Sequence, residues 1–265
     1  MPRFAANLSW LFQDVPFLER FARAKAAGFE AVEFLFPYDL PAETIAAEAR
    51  KHGLQVVLFN MPPGDWARGE RGTACYEDRM QEFADGVQKA LAYAKVLGCK
   101  TLHCMSGIPP AGANRDVAWS VYCENLHMAA AVAAKDDVTV VIEPINGRDM
   151  PGYLLQHQEE AIQAIESFGA PQNLGIQFDV YHCQIMDGDL TTRIRRNFGL
   201  IKHVQVAGVP LRNEPDFGEV NYAYIFAMLD AFRYKGWVGC EYRPRGRTED
   251  GLGWLRAAKA ASAVA

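Results

Sequence analysis

Four positions in the second half of the chain end a short apolar run on an oxygen-bearing side chain. Residues 138–142 (VTVVI) run into Glu143, and Ile176, Gln177 and Phe178 lead to Asp179. His203 and Val204 lead to Gln205, and Gly239 and Cys240 lead to Glu241. Side chains two apart on a strand share a face, so Gln177 goes with Asp179 and His203 with Gln205, while Phe178 and Val204 turn the other way. If these four strand ends meet, three carboxylates and an amide oxygen crowd one point. Like charges in contact either raise a pKa sharply or hold a cation. Hard oxygen donors suit Mg²⁺, Mn²⁺ or Ca²⁺ better than zinc. An octahedral ion with two positions left over can chelate the neighbouring carbonyl and hydroxyl of a hydroxy-carbonyl compound. A single acid at a strand end is commonly a helix cap or an ion-pair partner. The set of four is what points to a site.

Further candidates cluster around these. Asn7 and Glu33 close the first two β-rich runs, Asn60 the third and His103 the fourth. His103 has two readings, a satisfied core histidine or a substrate contact. His182, three residues after Asp179, caps the following helix or contacts substrate. The segment 61–76 contains Pro62, Pro63, Gly64, Gly69 and Gly72 around Trp66. A long structureless loop in a compact domain is commonly a lid, which would bring Trp66 over the site. Trp10, Phe12 and Phe36 form an apolar wall or pack in the core.

The elements that must position these groups alternate strictly. Strands are expected at 4–7, 31–34, 55–60, 101–104, 138–143, 174–178, 203–206 and 237–242. Helices are expected at 16–27, 41–52, 77–97, 114–135, 156–168, 190–196, 222–234 and 253–263, several followed by glycine, the usual C-terminal punctuation. No linker or low-complexity segment interrupts the series, so residues 1–265 read as one domain. Eight βα units in 265 residues argue an α/β protein of the (β/α)8 TIM-barrel class. A doubly wound dinucleotide fold would want GxGxxG after its first strand, and the chain has none. In such barrels the active site lies at the C-terminal ends of the strands, where the candidate residues fall.

The net charge of −5 gives no basic footprint for nucleic acid or an anionic membrane. No stretch is apolar for long enough to span a bilayer, and residues 1–9 lack the apolar core of a signal peptide. Six scattered cysteines without a CxxC pair read as reduced thiols, so the expected location is cytoplasmic.

Together these motifs resemble the hydroxypyruvate isomerase family, within the xylose-isomerase-like barrels that include ketose 3-epimerases. They are residues 3–9 (RFAANLS), 32–38 (VEFLFPY), 64–66 (GDW), 69–72 (GERG), 142–146 (IEPIN), 178–182 (FDVYH), 203–205 (HVQ), 218–222 (GEVNY) and 239–242 (GCEY). The resemblance covers nearly the whole chain. It implies that Glu143 and Glu241 are the acid/base pair and that Glu143, Asp179, Gln205 and Glu241 bind a divalent metal, Mg²⁺ or Mn²⁺. The wider superfamily often has histidine where this chain has Gln205, a weaker neutral ligand. The resemblance also implies that His182 and Arg212 contact substrate; His103 and Asn60, as strand ends, and Trp66, on the loop, are the further expected contacts.

The implied reaction interconverts hydroxypyruvate and tartronate semialdehyde through a metal-stabilised enediol. Arg212 is the first candidate to hold the substrate carboxylate, because guanidinium matches carboxylate in a fork. Arg243 and Arg245 are the alternatives. Rival readings are a 2-oxo-tetronate isomerase, a ketose 3-epimerase, and a non-catalytic sugar-acid-binding barrel. The expected partner is a small sugar acid, with self-association into a homo-oligomer left open.

Overall fold

The computed structural model describes residues 2–262. Eight parallel strands close in chain order into a barrel. They are β1 (Arg3–Asn7), β2 (Ala31–Phe34), β3 (Gln55–Asn60), β4 (Thr101–His103), β5 (Thr139–Ile142), β6 (Leu174–Asp179), β7 (Ile201–Val206) and β8 (Trp237–Cys240). The covering helices are α1 (Glu19–Ala26), α2 (Ala42–Lys51), α3 (Met80–Leu97), α4 (Arg115–Ala133), α5 (Gln158–Glu166), α6 (Val180–Met186), α7 (Leu190–Asn197), α8 (Tyr222–Ala231) and α9 (Gly253–Ser262).

The expected barrel forms, with local differences. Glu143 and Glu241 lie one residue beyond β5 and β8, in the loops leaving the barrel rather than in the ladder. Helix α6 was not anticipated. It starts directly after β6 because Asp179 serves both elements, ending the strand and accepting the Tyr181 N–H at 2.7 Å as helix cap. The segment 61–76 is not structureless. Asp65 caps a 3₁₀ turn at Trp66–Arg68, and Gly72 N–H donates to Pro63 O at 2.8 Å. Gly72 has φ +107°, and a β-carbon there would come within 2.4 Å of Met105 O, so the loop lies flat on the strand-4 connection only because this residue is glycine. Residue 263, to which the last helix was expected to run, lies outside the described residues.

The register of β6 on β7 sets Gln177 against His203 and Asp179 against Gln205, after an irregularity at Ile176/Gln177. Phe178 and Val204 pack outward under the helices, as strand periodicity requires. Low in the barrel, Ala5, Ala31 and Val57 form a small apolar plug closed by Trp237. Above it the interior is polar: Asn7, Glu33, Gln177, His203 and Gln205 are all buried.

Candidate active site

A cavity of about 460 Å³ opens at the C-terminal ends of the strands. Asn60, Trp66, His103, Glu143, His182, Arg212 and Glu241 line it, together with Trp10, Arg71, Gln177 and Tyr181. Gln205 and Asp179 lie beside it, joined to lining residues by their side chains. Phe12 does not form part of the wall. It is fully buried, with its N–H on Thr248 Oγ1 at 2.7 Å. Phe36 packs against Trp66, with ring centroids 5.0 Å apart.

The acids differ in how they are partnered. Glu143 Oε1 and Asp179 Oδ2 are buried without any hydrogen-bond partner. Burial pushes the Glu143 carboxyl well above the usual range, and Glu241 and Asp179 push it further. Burial likewise raises Asp179 to about 6, against the pull of Arg212 and the Tyr181 and His182 N–H groups. Glu241 is raised to about 8 by burial, opposed by Arg212, whose Nη2 lies 2.6 Å from its Oε1. Orphaned, desolvated oxygens of this kind suit a hard divalent cation. Ligand atoms of Glu143, Asp179 and His182 all fall within 4.8 Å of one another.

His182 is a different kind of partner. Its Nδ1 accepts from the Asn146 side-chain amide at 2.6 Å and faces the Asn146 N–H at 3.3 Å. The Asn146 amide cannot be reversed cheaply, because its oxygen accepts from Arg148 N and Asp149 N. Burial and Arg212 hold the imidazole pKa well below its ordinary value, so the ring is neutral. Both ring nitrogens face donors, because Arg212 Nη2 lies 3.3 Å from Nε2, which also stands 3.6 Å from Asp179 Oδ2 and 3.9 Å from Glu143 Oε1. An Nε2 lone pair that accepts from Arg212 is also the one that could serve a cation beside Glu143 and Asp179. His103 is buried with neither ring nitrogen bonded, its Nδ1 3.8 Å from Glu143 Oε2, and burial brings its pKa to about 3. It is not the satisfied core histidine of the bland reading.

Gln205 turns its nitrogen, not its oxygen, toward Glu241. Its Nε2 donates to Glu241 Oε2 and to Glu33 Oε1, both at 2.7 Å, while its oxygen accepts from Gln177. A cation could meet the amide oxygen only after the amide turned over, taking the Gln177 bond with it. Asn7 Nδ2 bridges the same two glutamates at 3.0 Å each. Glu33 also accepts from His203 Nε2 at 2.7 Å. This network escaped the sequence reading, although Glu33 and Asn7 were visible as strand ends. Arg71 was missed outright. Its signal was a cation inside the GERG stretch of the loop that carries Trp66.

Arg212 is held in a left-handed conformation (φ +58°) that a non-glycine residue adopts at a cost of about 1–3 kcal/mol. Its N–H donates to Gly208 O and its carbonyl accepts from Arg243 N, which fix it. The guanidinium lies between Trp10, 4.5 Å from the ring, and Tyr181, at 5.1 Å, and reaches Glu241, Asp149 and Asp179. Arg245 instead pairs with Glu214 at 3.0 Å and does not line the cavity.

The family model for xylose isomerase-like TIM barrels matches residues 21–258. The chain is 51% identical to a 2-oxo-tetronate isomerase of Cupriavidus necator, over 97% of this chain and 98% of the relative. It is 45% identical to the hydroxypyruvate isomerase of Escherichia coli K12, over 96% and 98%. A crystal structure described as AP endonuclease, family 2, from Brucella melitensis superposes with a TM-score of 0.95 at 54% identity, over 97% and 99%. Among the described residues no helix is long and apolar enough to cross a membrane. Eight parallel strands, a polar interior and a match along almost the whole length leave one assignment: the chain belongs to the xylose isomerase-like TIM-barrel family, in its group of hydroxypyruvate and 2-oxo-tetronate isomerases.

Proposed function

We propose that this barrel isomerises a short 2-oxo acid with a hydroxyl on the adjacent carbon, moving one hydrogen between neighbouring carbons through an enediol. With three carbons the pair is hydroxypyruvate and tartronate semialdehyde. The observation that carries the reading is the placement of Glu143 and Glu241 on one small cavity, both buried and both with raised pKa values. Enediol chemistry needs a group to take a carbon-bound proton and another to return one, each poised near neutral pH. Arg212 favours the charged form of Glu241, and a cation held by Glu143 would favour the charged form there too, so the pair shares the acid and base roles.

A proton must also pass between the two substrate oxygens as the carbonyl moves. The His182 and His103 rings, both beside Glu143, would hold those oxygens. Glu143 and Asp179 would hold a divalent cation, Mg²⁺ or Mn²⁺, with Glu241 and the turned-over amide of Gln205 completing the set. When bound, such an ion supplies Lewis acidity toward adjacent carbonyl and hydroxyl oxygens. Arg212 neutralises part of the acid cluster and keeps Glu241 oriented. Trp10, Trp66 and Tyr181 narrow the opening and limit water, which strengthens every charge interaction inside.

The four-carbon acid is a specific second reading. A three-carbon acid fills only a fraction of about 460 Å³, which leaves room for one more hydroxymethylene unit. An endonuclease, the word used for the Brucella protein, would need an extended basic surface for backbone phosphates, and the net charge of −5 argues against one. The test is a coupled assay with hydroxypyruvate, 2-oxo-tetronate and a ketohexose, each with EDTA and with added Mg²⁺ or Mn²⁺. Turnover of one or both acids and not of the hexose is expected. Turnover of the hexose alone would make the protein an epimerase. Failure on all three with metal bound would make it a binding protein.

A further inference from the structure

The cavity holds three guanidinium groups, those of Arg71, Arg212 and Arg243, and they are not equivalent. Arg212 is committed to protein acids: Glu241 at 2.6 Å, Asp149 at 3.4 Å and Asp179 at 3.8 Å. A substrate carboxylate placed on it would sit against those same acids and meet their repulsion. Arg243 is exposed, 5.9 Å from the Trp10 ring, and fully hydrated charges discriminate weakly.

Arg71 is half-buried, and its guanidinium lies 3.8 Å from the centre of the Trp66 ring. Its Nη1 donates to Trp66 O at 3.0 Å and Glu70 O at 2.7 Å, which fixes the plane of the group. Among the described residues no carboxylate comes within ion-pair distance of it. The nearest acid in sequence, Glu70, is taken by Arg79 at 2.7 and 3.0 Å and by the Asp65 N–H at 2.6 Å. Burial pulls the Arg71 pKa down and nothing charged opposes it. The remaining edge of its fork, Nη2 and Nε, carries no bond to the protein. A flat, weakly hydrated cation, held against an indole on the cavity wall with no acid of its own, is built to accept a planar carboxylate through two hydrogen bonds.

We infer that Arg71 takes the carboxylate of the substrate, so that the loop carrying Trp66 selects acids over neutral sugars while Arg212 serves the catalytic acids. This assignment rests on the sugar-acid reading above. It divides the cavity into a reacting end on β5, β6 and β8 and a recognition end on the loop after β3.

The test combines binding with kinetics on the full-length protein. Isothermal titration with D-glycerate, an unreactive hydroxy acid, and with glycerol, its neutral counterpart, is run on wild type, Arg71→Met, Arg71→Lys and the control Arg245→Met. The glycerate Kd is expected to rise about 10- to 100-fold in Arg71→Met, the range for losing hydrogen bonds to a charged group. Partial recovery is expected in Arg71→Lys and no change in Arg245→Met, with glycerol binding weakly throughout. The KM for hydroxypyruvate should rise by a similar factor in Arg71→Met, with kcat within about 3-fold, because the carboxylate does not react. An unchanged Kd and KM in Arg71→Met would overturn the assignment. So would a collapse of kcat with KM unchanged, or a wild type that does not bind glycerate. If wild type binds glycerate through Arg71 but turns over neither acid, the isomerase reading fails and the carboxylate site stands.

Discussion

Glu33 and Glu143 are carboxylates in the same barrel interior, 0% and 4% exposed, and their surroundings are opposite. Glu33 receives Asn7 and Gln205 on one oxygen and His203 on the other. Glu143 has one oxygen with no partner and the other 3.8 Å from an unbonded imidazole. Burial alone therefore does not mark a working acid. A buried acid with every oxygen satisfied holds the fold together; one left unsatisfied is kept for something that binds. Gln205 and Asn7 stand between the two regions, each with one carboxylate of the scaffold and one, Glu241, of the site.

The sharpest way to break this contrast is to neutralise each kind of acid. Glu143→Gln and Glu241→Gln should each lower kcat about 10²–10⁴-fold with far-UV circular dichroism unchanged, measured in the coupled isomerase assay. Near-wild-type turnover in either would remove that glutamate from the chemistry. Glu33→Ala should act on folding first. It strands three buried donors, which costs about 3–5 kcal/mol and lowers Tm by roughly 10 °C in thermal unfolding. Glu143→Gln should move Tm the other way in metal-free protein, up by about 2–4 °C, because a desolvated acid facing two others is relieved. If both variants melted lower by similar amounts, the two acids would be scaffold alike.

The pH dependence sharpens the same point. Asp179, at about 6, and Glu241, at about 8, keep protons in the folded chain that the unfolded chain gives up near pH 4. The folded state thus binds more protons between pH 4 and 8. The stability this supplies is complete below pH 4 and is lost as pH rises through about 6 and then 8. In EDTA, Tm should fall across that window. With Mg²⁺ or Mn²⁺ the fall should shrink or reverse, since the cation binds the deprotonated acids. A flat profile in EDTA would mean the acids are already compensated. The smallest effect is expected from Trp66→Ala: a few-fold rise in KM and little change in kcat, because the ring shapes the wall and backs Arg71 without touching the reacting carbons.

Much of this site was legible before the fold was known, because strand periodicity and barrel topology fix where strand ends go. Asp179 and Gln205 follow from a two-residue repeat, and Glu143 and Glu241 from short apolar runs that end on an acid. What the chain hid was long-range or directional. His203 meets Glu33 across 170 residues, and no local pattern pairs them. The side of the Gln205 amide facing Glu241 depends on Gln177 and Glu33 together. The donors facing the His182 ring come from Asn146, 36 residues earlier, and from Arg212, 30 residues later. The role inferred for Arg71 depends on which acids its neighbours have already claimed.

Position 239 carries one more consequence. A β-carbon on Gly239 would lie 2.3 Å from both carboxyl oxygens of Glu33. A side chain at 239 and the acid at 33 would thus compete for a single volume, although the two positions are far apart in the sequence. While Glu33 is present, position 239 has no room for a side chain. A redesigned barrel that places any side chain at 239 must surrender the acid at 33, and with it the hands that hold Gln205 and Asn7 against Glu241.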